Sequence, residues 1–409
     1  MNIVLRLAWR NIWRQPRRTW LTTGAMVFSN TLLIFMMSLQ FGTYDLMINN
    51  SLQSFSGHLQ VQAPGYKDDS KMRQSVPQVR MLAAKYRQDP VFQNVAARGG
   101  AFALASSEDR SYGIQIFGVE PEFEPGVSNV PGLVKQGRYL GDIDATEIVI
   151  GAVLARNLRV SLGDELTLLG TGRDGSFAAA IVTLVGVFDS GVADLDRSIA
   201  EIPLGLFQET FAMESAGHQV VITTPDLSFV PAAKIEAENL LPTDAGLVVH
   251  DWDALQPGLR QAIQADLTSA WFMYMLLVIL VAFSVMNTQL MSVLERTKEF
   301  GIVMSLGLTP GRLGRLVMLE TALMGIMGLL LGALLGTLVT LWLSVTGFAY
   351  PGMEEMAANF NLPGRMYPKL SMLTLFGGPV IVFAGTLASA LYPALRLQRL
   401  QPVEAMRAA

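Results

Sequence analysis

Few side chains in this 409-residue chain could do covalent chemistry, and their spacing argues against it. The three histidines, His58, His218 and His250, lie far apart, and neither His-Glu-x-x-His nor Gly-x-Ser-x-Gly occurs. A P-loop ATPase needs a Gly-Lys pair followed by Ser or Thr, so that backbone amides and the lysine hold the phosphates. The chain has no Gly-Lys pair. Gly170-Thr171-Gly172-Arg173-Asp174-Gly175 does match the dinucleotide pattern G-x-G-x-x-G. It stands between two β-rich runs, Glu165–Leu169 and Phe177–Val187, whereas a pyrophosphate site needs a helix directly after its glycines. The string predicts a hairpin turn. There is no cysteine, which removes disulfides and thiolate metal sites. No catalytic residue, metal site or cofactor site is expected in this chain.

The polar stretch that carries most information runs from Glu295 to Gly307. Glu295, Arg296, Lys298 and Glu299 charge its first half, and Phe300 and Gly301 open an apolar second half. Gly307 suits a helix terminator, and Thr309-Pro310 suits the cap and first position of the next helix. A short amphipathic surface helix is predicted, a possible lever for a partner protein, with Phe300 as its anchor. The plainer alternative is a solvated turn. Glu320, one turn in from Arg315, is the one clear carboxylate within an apolar run, and it is expected to pair with a nearby basic residue.

The elements that must position these residues are apolar. Four runs, Trp20–Phe41, Ser269–Leu294, Leu316–Gly347 and Ser371–Leu395, each reach the roughly 20 residues that a bilayer's hydrocarbon demands of a helix. More than two hundred polar residues separate the first run from the second. Residues 44–267 hold 16 Lys/Arg and 28 Asp/Glu, net −12; the rest holds 14 and 6, net +8. The predicted class is a membrane protein with four transmembrane helices and a large α+β extracytoplasmic domain, in two subdomains, inserted between the first and second helices. Its segments are a cytoplasmic amphipathic helix at 1–19, spans at 20–41, 269–294, 316–347 and 371–395, and the outer domain at 42–268. A cytoplasmic coupling segment at 295–315, an outer loop at 348–370 and a cytoplasmic tail at 396–409 complete the set.

Orientation follows from basic residues beside the spans. Arg6, Arg10, Arg14, Arg17 and Arg18 precede the first, Arg296, Lys298, Arg312 and Arg315 lie between the second and third, and Arg396, Arg399 and Arg407 follow the fourth. Both termini are therefore expected in the cytoplasm. A cleaved signal peptide is the competing reading; the first run is too long for it, and Gln40-Phe41-Gly42-Thr43 is a poor cleavage site.

Residues 3–14 set Leu5, Ala8, Trp9, Ile12 and Trp13 on one helical face and Arg6, Arg10 and Arg14 on another, an interfacial pattern. Ser29, Asn30 and Thr31 are polar in mid-span and expected to face other helices. Gly325, Gly328, Gly332 and Gly336 form a helical stripe suited to close helix packing. In the outer domain, the Pro/Gly/acid-rich Glu120–Gly141 and the region Asp194–Pro203 are expected to be crossings between subdomains. Helical stretches at Thr43–Phe55 and Asp253–Asp266 are expected to form stalks continuous with the first two spans.

Glu295–Gly307, with Arg312-Leu313 and Leu319-Glu320 after it, resembles the coupling region of MacB/FtsX-type ABC permeases. Leu7-Ala8-Trp9-Arg10-Asn11 with Arg17-Arg18-Thr19 resembles that family's N-terminal helix. Tyr392-Pro393-Ala394, Gln401-Pro402-Val403-Glu404-Ala405-Met406-Arg407 and Gly118-Val119-Glu120-Pro121 fit the same family. With no fused ATPase, the chain is nearer the lipoprotein-release permeases than full-length MacB. The resemblance implies a permease subunit in the bacterial inner membrane, with its large domain in the periplasm. It implies a second permease copy, in a homodimer or heterodimer, and a separate cytoplasmic ATPase dimer that binds ATP and Mg. It further implies movement of the outer domain driven by ATP, a process called mechanotransmission. A periplasmic carrier or fusion protein fits as a further partner, and no nucleic acid does. Three functions compete: release of lipoproteins or other amphiphiles, tripartite efflux of peptides or drugs, and signalling to a cell-wall hydrolase without transport.

Overall fold

The computed structural model describes residues 3–52, 56–242, 246–353 and 364–398. The chain divides into two compact units. One gathers Met1–Tyr44, Ile263–Tyr350 and Arg365–Ala409, and the other gathers Asp45–Ala262 and Pro351–Gly364.

The first unit is helical. Helix α1 (Ile3–Ile12) precedes α2 (Pro16–Ser51), and Pro16 supplies the fixed φ that a helix start tolerates. Among the described residues, four helices are long and apolar enough to cross a membrane, over Pro16–Asn49, Pro257–Glu295, Pro310–Thr346 and Met372–Leu397. The glycine stripe sets how closely they approach. A Cβ on Gly328 would lie 2.6 Å from Met26 Cβ, one on Gly332 2.5 Å from Asn30 Cβ, and one on Gly336 2.9 Å from Ile34 Cδ1. Gly325 instead faces Phe383 and Thr386 of the last helix. Glycine is required here because the neighbouring helix already occupies the Cβ position. The mid-span polar residues use that closeness: Asn30 Nδ2 donates to Gly328 O at 3.2 Å and Thr31 Oγ1 to Gly332 O at 3.3 Å.

The second unit is built on strands. In chain order its elements are β1 (Leu59–Gln62), α3 (Val79–Arg87), β2 (Asn94–Ser106), β3 (Ser111–Val119), α4 (Glu124–Val127), β4 (Val134–Gly137) and β5 (Glu147–Gly151). There follow α5 (Ala152–Leu158), β6 (Glu165–Thr171), β7 (Phe177–Phe188), α6 (Ala193–Ser198), β8 (Ile199–Pro203), α7 (Leu204–Thr210), β9 (Gln219–Thr223), α8 (Val230–Asn239), β10 (Val248–Asp251) and α9 (Trp252–Leu255). The pairings make two lobes that share one strand. The first half of β2, Asn94–Arg98, continues an open antiparallel sheet through β9 and β1 to β10. Its second half, Arg98–Ser106, enters a closed ring in the order β2-β3-β8-β5-β7-β6 and back to β2. One large apolar core serves both lobes, and a smaller one, with Val119, Val130, Leu140, Val149, Phe188 and Ile199, lies within the ring lobe.

The lobe boundaries are only partly where the sequence placed them. Glu120–Gly141 does pass between the lobes, since α4 packs on Ala96 and Val221 of the open sheet while β4 pairs with β7 of the ring; Asp194–Pro203 stays within the ring lobe, and a further change of lobe falls inside β2 near Arg98. Proline and glycine mark turns, but a strand long enough to serve two sheets needs neither. Three further departures stand out. β4, β8 and β10 were not anticipated as strands. Asp253–Asp266 is not one helix, because the chain breaks at Gln256 before Pro257, where proline disfavours helical geometry in the preceding residue. Thr309 sits at the N-cap of the next helix with extended backbone but makes no side-chain cap bond.

The Gly170–Gly175 string is the turn joining β6 to β7. Gly172 N donates to Ser176 O at 2.9 Å, and Gly175 has φ +90°. Buried His58 and His218 serve the strands: their Nδ1 atoms accept from Thr224 N at 2.8 Å and Gly100 N at 3.0 Å. His250 lies on β10, opposite Gln60 of β1.

The remaining helices of the first unit are α10 (Pro257–Glu295), α11 (Thr297–Ser305), α12 (Pro310–Thr346) and α13 (Met372–Gln398). Between α12 and α13, Phe348 pairs with Met366 in an isolated bridge. Tyr392-Pro393-Ala394 lies within α13, and Gln401–Arg407 lies outside the described residues.

Candidate functional site

Helix α11 starts directly after α10, with only Arg296 between them, and ends at Leu306, followed by Gly307 at φ +98°. Gly307 N donates to Met304 O at 3.0 Å and Leu308 N to Val303 O at 3.3 Å, so the left-handed glycine closes the last turn. Phe300 is only 3% exposed; it and Met304 insert among Val293, Leu313, Val317 and Leu397. Gly301 is buried beside them. Phe300 thus anchors α11 to its own bundle and not to a partner, because an aromatic at this spacing falls on the inward face of the helix.

The charged residues are also engaged from within. Arg14 grips Glu299 with both terminal nitrogens, each at 3.1 Å. Arg18 Nη1 donates to Glu295 Oε2 at 3.3 Å, and Gln15 Nε2 to the same oxygen at 3.5 Å. Arg296 Nη1 reaches Glu320 Oε1 and Oε2 at 3.3 and 3.4 Å, and Asn11 Nδ2 donates to Glu320 Oε1 at 2.7 Å. Arg296 also lies 5.0 Å over the Phe300 ring. The hydrogen bond from Arg14 holds the Glu299 carboxyl below its usual range, against a smaller opposing effect of burial. Helix α1 is fixed beside this network by Ala8 and Ile12, which are buried, and by the turn in which Thr19 Oγ1 donates to Ile12 O at 2.6 Å. Trp9, Trp13 and Trp20 stay exposed and meet edge to face. A polar cavity of ≈ 180 Å³ lies between these elements, lined by Asn11, Arg14, Arg18, Gln289, Arg296 and Glu320 among others.

Three residues of α11 and its end face outward on one stripe: Lys298, Ile302 and Leu306, at four-residue spacing. Leu306 is 82% exposed. Of the sequence-derived site residues, then, Glu295, Arg296 and Glu299 form an internal latch, Phe300 and Gly301 pack inward, and Lys298 is free to face a partner. Sequence reasoning missed Asn11, Arg14 and Arg18 as latch partners, and Ile302 and Leu306 as the exposed surface. The i, i+4, i+8 pattern from Lys298 was the available signal. At the opposite ends of α2 and α10, Tyr44 OH donates to Asp266 Oδ2 at 2.5 Å and Tyr274 OH to Gln40 Oε1 at 2.6 Å, tying the two helices together.

An internally braced surface helix with an exposed apolar stripe can pass a push from a partner to α1, α10 and α12 together. Residues 19–240 match the MacB-like periplasmic core domain family, and residues 271–402 match the FtsX-like permease C-terminal family. The lipoprotein-releasing system transmembrane protein LolC of Xylella fastidiosa is 26% identical over 309 residues, covering 71% of this chain and 72% of that protein. The corresponding LolE protein of Haemophilus influenzae is 24% identical over 338 residues, covering 80% of each. The extracellular domain of the ABC-type transporter YknZ from Gram-positive bacteria aligns with a TM-score of 0.36 at 17% identity, covering 47% of this chain and 99% of that domain.

Proposed function

This chain belongs to the ABC transporter permeases that join a MacB-like periplasmic core domain to an FtsX-like C-terminal region, and from that premise we propose that it drives lipoprotein release from the inner membrane. A separate ATPase dimer binds ATP and Mg in the cytoplasm, on the side of both termini and α11. Its closure moves α11, and the latch transmits that movement to the spans and on to the strand domain in the periplasm. Two permease copies work together. Lipoproteins are the proposed cargo because both LolC and LolE carry lipoprotein release in their names.

The observation that carries the coupling role is the division of α11 into two faces. Phe300, Gly301 and Met304 hold it to the bundle, while Lys298, Ile302 and Leu306 stay open. Buried apolar residues at the centre of a contact dominate binding. Ile302→Glu with Leu306→Glu should therefore lower co-purification of the ATPase about tenfold or more, while Phe300 keeps α11 in place. Unchanged co-purification would end the docking proposal. The cargo is tested separately by depleting this permease in cells. Lipoproteins should accumulate in the inner membrane; drug sensitivity or cell-wall defects without such retention would replace release by efflux or by signalling.

A further inference from the structure

The polar cavity beside the latch holds donors that the latch does not use. Its ≈ 180 Å³ is several times a water's share of about 30 Å³, and residues of α1, α2, α10 and α12 line it. Both carboxylates of the lining are fully taken. Arg14 donates to each oxygen of Glu299, and Arg296 Nη1 to each oxygen of Glu320. The donors are not. Among the described residues Arg18 Nη2 is buried with no hydrogen-bond partner. Arg296 Nε is buried too, and Glu299 Oε2, 3.5 Å away, lies outside hydrogen-bond geometry. Gln289 of α10 is 3% exposed, and among the described residues its amide makes no hydrogen bond. A buried N–H without an acceptor is costly. The cavity is therefore short of acceptor oxygens.

We propose that this cavity binds the phosphodiester of a membrane phospholipid, with Arg18 Nη2, Arg296 Nε and the Gln289 amide donating to its oxygens. A phosphodiester brings acceptor oxygens, one negative charge and no proton to donate, which matches what the cavity lacks. Guanidinium groups are well suited to it. The lining carries three arginines and two glutamates. Glu295, just outside it, takes only Nη1 of Arg18 and leaves Nη2 for the ligand. The neighbours favour lipid over a dissolved phosphate. Trp20 and Leu21 stand between the lining residues Thr19 and Thr22, and both are exposed, Leu21 at 77%. Trp9 and Trp13 are exposed on α1 and just after it. Tryptophan concentrates at headgroup depth, and Leu21 begins an apolar surface for acyl chains. In the orientation proposed above, this is the cytoplasmic leaflet. A phosphate held from α2 and from Arg296 at the end of α10 ties the two helices together beside the latch.

Native mass spectrometry of the full chain in detergent, with dioleoylphosphatidylglycerol added, tests the site. Gln289→Leu and Gln289→Glu should each lower retained phosphatidylglycerol about tenfold, as loss of a hydrogen bond to a charged group does. Gln289 has no partner to lose, so Gln289→Leu should keep the melting temperature. Arg18→Gln removes a second donor and should lower retention likewise. Arg17→Ala and Lys298→Ala, exposed cations outside the cavity, should leave retention within about twofold. Equal losses in Arg17→Ala and Gln289→Leu overturn the cavity in favour of diffuse surface charge. Dioleoylglycerol has the same chains without phosphate, and its retention at the level of phosphatidylglycerol overturns the phosphate. Inorganic phosphate that displaces phosphatidylglycerol at equal concentration overturns the lipid as its source. Unchanged retention in Gln289→Leu, Gln289→Glu and Arg18→Gln overturns the site and leaves the cavity to water. None of these readouts depends on lipoprotein release or ATPase docking, so the site can fail while the proposed function holds, and the reverse.

Discussion

Arginine–glutamate pairs appear in both units, and their surroundings give them opposite uses. In the strand domain Arg98 pairs with Glu124 through two nitrogens, and the two side chains are 2% and 0% exposed. At the α11 latch, Arg14 and Glu299 make an equally complete fork, yet they are 58% and 49% exposed. Water screens the latch pair and competes for both partners, so forming or breaking it changes little free energy. The Arg98 pair has lost its water, so removal of one partner strands the other. One arrangement is a staple that fixes the strand shared by two lobes. The other can open and close within the range a partner protein can supply.

The largest effect should come from breaking the staple. Arg98→Ala leaves Glu124 buried and unpaired, and should cost about 3–5 kcal/mol of strand-domain stability. Arg98→Met combined with Glu124→Leu should recover much of that, because an apolar pair avoids the uncompensated charge. Thermal unfolding and protease resistance of the full chain in detergent measure both. A loss below about 1 kcal/mol for Arg98→Ala would mean that burial does not separate the two pairs.

The same buried cluster predicts a pH dependence of strand-domain stability. Tyr139 OH donates to Glu201 Oε2 at 2.6 Å; burial, and then the charge of Glu124, push the Glu201 carboxyl up from 4.5 to about 8. In this window the folded domain holds a proton that the unfolded chain has released. Stability therefore falls as pH rises from 4.5 to about 8, at about 1.4 kcal/mol per unit, and levels off above it. Glu201→Gln should flatten that limb. His218 supplies the opposite one: burial lowers it from 6.5 to about 4, so stability is lost as pH falls through that range. Melting profiles of wild type and Glu201→Gln between pH 5 and 9 that coincide would remove Glu201 as the cause.

These two clusters also mark the limit of what the chain's residues disclose. The spans were legible because apolar length is a local property, and strands such as Glu165–Thr171 and Phe177–Phe188 because one face alternates with the other. Ile199–Pro203 was not, since all five residues are buried and no alternation remains. Nothing in the sequence around Arg98 sets it apart, and only the pairing of β2 with both lobes buries it. The latch was half legible. Glu295 to Phe300 stood out as a charged, capped helix, but their partners Arg14 and Arg18 are about 280 positions away, and Phe300 could be assigned inward or outward only once α12 was in place.

Within the latch, the mostly buried pair Arg296–Glu320, at 16% and 7% exposure, stands between Arg98–Glu124 and Arg14–Glu299. Glu320→Ala removes the acceptor of both Arg296 and Asn11 and should cost the bundle about 1–3 kcal/mol. Hydrogen exchange of α1 and α11 reads it: both helices should exchange faster, and α13 should not. Equal acceleration in all of them would indicate general unfolding and not release of a local tie.

The smallest stability effect, and the one closest to function, belongs to Arg14. Arg14→Ala should cost less than about 1 kcal/mol, as exposed ion pairs do, and the melting temperature should scarcely move. If the pair only decorates the surface, the proposed lipoprotein release should be equally untouched. If it joins α1 to the lever, that release per ATP hydrolysed should fall while ATPase binding at the proposed surface of Lys298, Ile302 and Leu306 persists. Charge reversal separates the two. Arg14→Glu alone sets two carboxylates against each other and should uncouple the most; Arg14→Glu with Glu299→Arg restores the fork in reverse and should restore coupling. Salt gives a second check, since screening at high ionic strength weakens an exposed pair but not Arg98–Glu124. Full coupling in Arg14→Glu, with no recovery to be gained from the double reversal, would reduce the latch to a crystal-like surface contact and leave the apolar seat of Phe300 as the whole connection between α11 and the bundle.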